Sequence, residues 1–151
     1  MRALSAEISV IAHATEDVAK VSHALKNIFP DSVSDKIRFA TQHLEGHHGN
    51  PIKILKTSLT KRKMIDQFLN HLLQNLDRKN LSEILEDLDA QMDDEGNLYI
   101  RLDKQAAYMG ELRTKQEDPI RIKVKLVGEF GREKPSIDSI RELIEGHEEI
   151  R

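Results

Sequence analysis

Two short strings hold most of the side chains that could do chemistry: E-G-H-H-G-N-P at Glu45–Pro51 and R-L-D-K-Q-A-A-Y at Arg101–Tyr108. Gly46 and Gly49 permit close backbone approach or positive φ, and Asn50 before Pro51 favours a defined turn. Such a turn displays His47, His48 and the Asn50 amide, groups able to hydrogen-bond phosphate, a ribose 2′-hydroxyl or a base edge. A structural Asn–Pro turn with two incidental histidines explains the string equally well. In the second string Arg101 ends a strand, and Lys104 and Gln105 open a short helix whose free N–H groups favour an anion. Asp103 competes for those groups as a cap.

Other chemistries are poorly served. His43, His47 and His48 cluster around the turn, but the i, i+4 spacing of His43 and His47 converges only on a helix, and neither Asp nor Cys completes the set. No metal and no cofactor is expected. His13, His23, His71 and His147 have no patterned partners and read as structural or surface residues. The chain lacks G-x-S-x-G, a Walker-type loop, H-E-x-x-H and a dinucleotide fingerprint, so it is not expected to be an enzyme, nuclease included. The acidic run Asp87, Asp89, Asp93, Asp94 and Glu95 lacks EF-hand spacing and reads as a solvated face.

The totals fit one domain over residues 1–151 with its own core: 38% apolar and 32% charged residues in 151. Cysteine is absent, which removes disulfides and thiolate sites. No apolar run approaches the ~20 residues of a membrane span, and the start lacks a signal-peptide pattern, so no membrane association and a cytoplasmic location are expected. A net charge of −3 argues against a generic polyanion binder, but the charge is uneven. His47–Asn80 carries seven Lys/Arg against two Asp/Glu, whereas Leu81–Asn97 carries seven Asp/Glu and no Lys/Arg. Local potential is what an RNA phosphate senses.

The elements that must position these groups follow from periodicity. Ala6–Ala12 alternates as a half-buried strand. Thr15 is the expected cap of a helix burying Val18, Val21, Leu25 and Ile28 and stopped by Pro30. Lys36–Leu44 alternates with Arg38 and Gln42 opposite Ile37 and Phe39. Beyond the turn, Ile52–Ser58 is read with Ile52 and Ile54 inward and Lys53 outward. Thr60–Leu76 is the longest helix, and Asn80 with Glu83 suggests a capping box for the next. Leu98–Leu102 points Tyr99 and Arg101 outward; a short helix spans Lys104–Met109 and ends at Gly110. Ile120–Leu126 sets Arg121, Lys123 and Lys125 opposite Ile120, Ile122, Val124 and Leu126. A final helix starts near Pro135–Ser136. Five strands and about five helices, not strictly alternating, indicate an α+β, two-layer domain: a largely antiparallel sheet with helices packed on one face.

If the strands share one sheet, its solvent face collects Arg38, Lys53, Arg101, Arg121, Lys123 and Lys125, with Tyr99 as a stacking surface and Glu7 as the main acid. Charged side chains that merely solvate a sheet are the ordinary explanation for any one strand. Four strands agreeing in sign instead suit phosphate neutralisation.

The ordered strings H-A-T-E-D (His13–Asp17), E-G-H-H-G-N-P and L-D-K-Q-A-A-Y (Leu102–Tyr108) resemble an archaeal family described as RNA-binding and as a predicted exosome-associated subunit. The resemblance spans roughly Ile8 to Val127. It implies a fold similar to the ribosomal protein that binds 5S rRNA, a family fold also likened to double-stranded-RNA-binding domains, and a role in RNA processing or ribosome biogenesis. It brings no catalytic residue. Two functions remain open: an RNA-binding protein without catalysis, or an assembly subunit of an RNA-processing complex, whose acidic Glu83–Glu95 segment or acidic C-terminus docks a basic partner and whose open sheet face is an assembly surface. Self-association on an exposed sheet edge, giving a homodimer, is open as well.

Overall fold

The computed structural model describes residues 1–128 and 133–149, with side chains through Gly146. Its five-stranded sheet has the order β2-β3-β1-β5-β4, every neighbouring pair antiparallel. The strands are β1 (Arg2–Ala12), β2 (Ala40–Glu45), β3 (Pro51–Leu59), β4 (Asn97–Leu102) and β5 (Ile120–Val127). The helices are α1 (Val18–Asn27), α2 (Asp31–Ser34), α3 (Arg62–Asn75), α4 (Arg78–Glu86), α5 (Leu88–Gln91), α6 (Lys104–Tyr108) and α7 (Ile137–Glu149). The α+β expectation holds.

One face of the sheet makes the core. Ala6, Ile8 and Val10 of β1 and Ile122 and Val124 of β5 are buried beneath Leu25, Ile65, Phe68, Leu72 and Ile140. Phe68 and Phe29 anchor this layer with ring centroids 4.7 Å apart, as expected where stacking adds to burial.

Several boundaries move for local reasons. The Glu16 N–H donates to His13 O in a turn, so α1 starts later and Asp17, not Thr15, caps it through the Ala19 N–H. Asp77 caps α4 by accepting from the Asn80 N–H. Asn80 lies inside that helix, buried, where its Oδ1 accepts from both the N–H and the hydroxyl of Thr114. Pro30 opens α2. Residues 36–39 precede β2 as irregular chain, so Arg38 is exposed but not on a strand.

The phase of β3 is opposite to the expectation. Leu55, Thr57 and Leu59 point into the core, opposite Val10, Ile8 and Ala6. Lys53 pairs with Ala12 and shares the helix-side face, whereas Ile52, Ile54 and Lys56 take the other. The segment P-I-K-I-L-K-T-S-L has apolar residues in both phases, and pairing with β1 selects the one that buries the longer end.

The Asp93–Asn97 turn closes one end of the sheet. Asp93 accepts hydrogen bonds from the Asn97 N–H, the Asn97 amide, the Glu95 N–H and the Tyr99 hydroxyl. Those from Asn97, the strongest, hold its carboxyl far below the usual range. Gly96 sits there at φ +87°, and a Cβ would lie 2.9 Å from the Leu126 carbonyl oxygen. Gly96→Ala should therefore cost about 2 kcal/mol or more. The check is a thermal midpoint lowered by roughly 4–8 °C; an unchanged midpoint would show that the turn relaxes freely.

Candidate nucleic-acid interface

The second sheet face is open, and the registers fix its contents. One row crosses four strands as Lys56, Ser9, Arg121 and Arg101; the next carries Ser58, Glu7, Lys123 and Tyr99; a third ends in Ser5, Lys125 and Asn97. Strand spacing of about 4.8 Å puts these side chains within reach of one another. The charged strand residues of these rows are Lys56, Arg101, Arg121, Lys123 and Lys125 against Glu7. Glu7 is held by Lys56 at 3.3 Å.

Arg101 and Arg121 stand directly opposite each other. Like charges in that relation destabilise a sheet, so the open face carries an unfavourable contact between two strands. Arg101 is partly steadied: its Nη1 donates to Gln91 Oε1 at 2.7 Å, and its guanidinium lies 5.9 Å from the Tyr99 ring centroid. Arg121 is exposed. An anion over this row would relieve the repulsion.

The other expected residues fall differently. Lys125 donates to the Glu95 carbonyl and is partly buried. The Tyr99 hydroxyl is bonded to Asp93 at 3.0 Å, and burial, reinforced by that bond, raises its pKa. Lys56, and not the expected Lys53, lies on the open face, because β3 adopts the opposite phase. Arg38 stays exposed ahead of β2. His47 and His48 occupy the tip of a three-residue hairpin loop, in which the Gly49 N–H donates to Gly46 O and Gly49 takes φ +73°. Asn50 instead folds over Gly46, where a Cβ would lie 2.6 Å from its Oδ1. Its amide packs the turn, while the two imidazoles remain exposed.

Lys104 leaves the site altogether. Its ammonium donates to Ile11 O at 2.8 Å, Glu16 Oε1 at 2.9 Å and Asp118 Oδ2 at 2.9 Å, with the side chain 12% exposed. All three N–H donors are used, so none is left for a phosphate. His13 joins this cluster through Nε2, 2.8 Å from Asp118 Oδ1. Asp118 adopts φ +45°, a left-handed conformation that Asp tolerates better than most residues. Burial raises its pKa, but hydrogen bonds from His13 and Lys104 outweigh this and hold the carboxyl below its ordinary value. His13, Glu16 and Asp118 bring ligand atoms within 4.8 Å of one another. Among the described residues this is the group with metal-like geometry, and the Lys104 ammonium already stands in the cation's place. His13, expected to be a structural or surface residue, is structural: it braces the end of β1 against the segment before β5. The His147 side chain lies outside the described residues.

A cleft of about 740 Å³ opens elsewhere, lined by Asp31, His71, Asp77, Glu111 and Arg113 among others. Burial lowers the His71 imidazole below its usual value, with Asp31 pulling the other way. Its acidic lining is the wrong sign for a polyanion.

Comparison with known proteins gives the family. A family model described as RNA binding matches residues 5–126. The RNA-binding protein PAB1135 of Pyrococcus abyssi is 32% identical over 150 residues, covering 98% of this chain and 97% of that one. Among solved structures, AF2318 of Archaeoglobus fulgidus superposes with a TM-score of 0.82 at 35% identity, covering 94% of this chain and 99% of that one. Mth689 of Methanothermobacter thermautotrophicus gives 0.75 at 26% identity, covering 95% and 99%. Both structures carry the family designation DUF54. With its matched region running from β1 through β5, the chain belongs to the family that the RNA-binding model describes.

Proposed function

We propose that this protein is a non-catalytic RNA-binding protein that holds structured RNA against the open sheet face, by phosphate contacts from Lys56, Arg121 and Lys123. The observation that carries this is the Arg101–Arg121 cross-strand pair in a row shared with Lys56. The hairpin tip adds a second point of contact. Residues of β2 are exposed on both faces, so the hairpin projects as an arm presenting His47 and His48. These imidazoles reach 2′-hydroxyls or base edges where the sheet reaches phosphates. A role in RNA processing or ribosome biogenesis rests on the resemblance of the three ordered strings alone.

The test is a salt titration of binding to a structured RNA. The logarithm of affinity should fall linearly with the logarithm of salt, by about 0.7–0.9 per phosphate contact. A flat response would rule out the phosphate-based reading. Replacing His47 and His48 with Ala should change preference among RNAs while leaving that slope nearly the same.

A second reading, docking of proteins from an RNA-processing complex, is favoured by one feature. Ile11, Ile54, Ile52 and the 39% exposed Leu44 make the β2 end of the open face apolar.

A further inference from the structure

We infer that a second copy of this chain pairs with the free edge of β2, joining two sheets into one of ten strands. The two sheet edges are treated differently. At the β4 edge, Met92 bridges to Leu98 and Thr114 to Leu102, and the Lys115 N–H donates to Arg101 O. At the β2 edge, all six residues of Ala40–Glu45 are exposed, and β3 is the only strand paired with β2 among the described residues. Proteins that stay monomeric blunt such edges with Lys, Pro or a bulge. A-T-Q-H-L-E has neither residue, and its pairing with β3 runs without a break.

The hairpin loop shows which backbone groups are free. The Gly46 N–H donates to Asn50 O at 2.7 Å, so alternation turns Leu44, Gln42 and Ala40 towards β3 and Thr41, His43 and Glu45 outwards. An antiparallel partner related by a two-fold axis normal to the sheet must pair residues of the same face. The register centred on Gln42 does so. It sets Thr41 against the second copy's His43 and His43 against its Thr41, each pair exchanging backbone hydrogen bonds. On the open face, Leu44 lies beside the small Ala40 of the second copy, extending the apolar strip of Ile52, Ile54 and Ile11 across the junction. No like charges oppose one another, so the strand is complementary to itself.

This axis leaves both open faces on the same side. The two basic rows then form one surface, and RNA long enough to cover both gains avidity. That consequence rests on the RNA reading; the pairing does not. The contact is at the small end of specific interfaces, so association in the micromolar range is expected.

The chain has no cysteine, which makes a direct test available. Gln42 would face itself in a non-hydrogen-bonded pair with Cα atoms about 4.5 Å apart, within the range a disulfide bridges. Gln42→Cys should cross-link to a dimer on mild oxidation. Ser58→Cys, on β3 beyond the reach of β2, should not. Light scattering of the unmodified chain from micromolar to submillimolar concentration should approach twice 17.3 kDa. Thr41→Pro, which removes an outward N–H and none of those bonded to β3, should hold the mass at one copy with its circular dichroism unchanged. A monomer throughout, a folded Thr41→Pro variant that still dimerises, or Gln42→Cys that stays unlinked overturns the proposal. A chain monomeric on its own whose Thr41→Pro variant loses RNA binding would assign the edge to RNA instead. Because the cross-link is read without RNA, its failure leaves the salt titration intact as a separate result.

Discussion

Reversing Lys56, Arg121 and Lys123 to Glu together should weaken binding to structured RNA by roughly 10²–10³-fold at 0.1 M monovalent salt. Each lost phosphate contact removes about 0.7–0.9 from the slope of log affinity against log salt, so three lower it by about two to three units. Solvent-facing substitutions usually move stability by less than ~0.5 kcal/mol. Here the direction is also set. Arg121→Glu places a carboxylate opposite Arg101 and replaces repulsion with attraction, a change of about 0.2–1 kcal/mol in favour of the fold. The single variant should therefore melt slightly higher while binding RNA less well, the opposition expected where function is kept at some cost in stability. Reversing Lys20, Lys26 and Lys79, which are exposed on helices α1 and α4, makes the same change in net charge and should leave the slope intact. If both triple variants lose affinity equally, overall charge and not the sheet face governs binding.

Lys104→Met should act on stability and not on RNA. Removing the ammonium leaves Glu16 and Asp118 facing each other without their shared cation. Breaking a fully buried pair costs about 3–5 kcal/mol; these carboxylates are 30% and 46% exposed, so solvent reduces the loss to roughly 2 kcal/mol. The thermal midpoint should drop by roughly 4–8 °C, with the salt slope of RNA binding unchanged. The pH dependence follows from Asp118. Its folded pKa is below the ordinary value of 3.8, so the stability it contributes is present above that value and is lost as pH falls through the folded pKa. Lys104→Met abolishes much of that depression, so parent and variant should converge in stability below about pH 4. A variant that melts normally but loses a slope unit would return Lys104 to the RNA surface.

Elements whose signal is local were legible in the sequence. The alternation of β1 and β5 placed Arg121, Lys123 and Lys125 opposite the core correctly, because a two-residue period with one apolar phase has one good solution. Asp103 as the cap of α6 and Gly110 as its stop, at φ +82°, were equally local. The three ordered strings carried the family. Where local signals were degenerate, the reading failed. Residues 36–39 alternate like a strand yet join no strand pair among the described residues, and β3 has apolar residues in both phases.

Only tertiary structure decided the partners of Lys104 and the company of Arg101. His13 and Asp118 are 105 residues apart, and the strings H-A-T-E-D and L-D-K-Q-A-A-Y gave no sign that they meet. A hydrogen bond between distant segments leaves no period in either one. The cross-strand opposition of Arg101 and Arg121 depends in the same way on register, which side-chain burial across the whole sheet sets and no single strand encodes. Sequence alone therefore determined which residues could carry charge on each strand. Assembly of the sheet decided which of those charges face one another on the open surface, and which are consumed in holding the fold together.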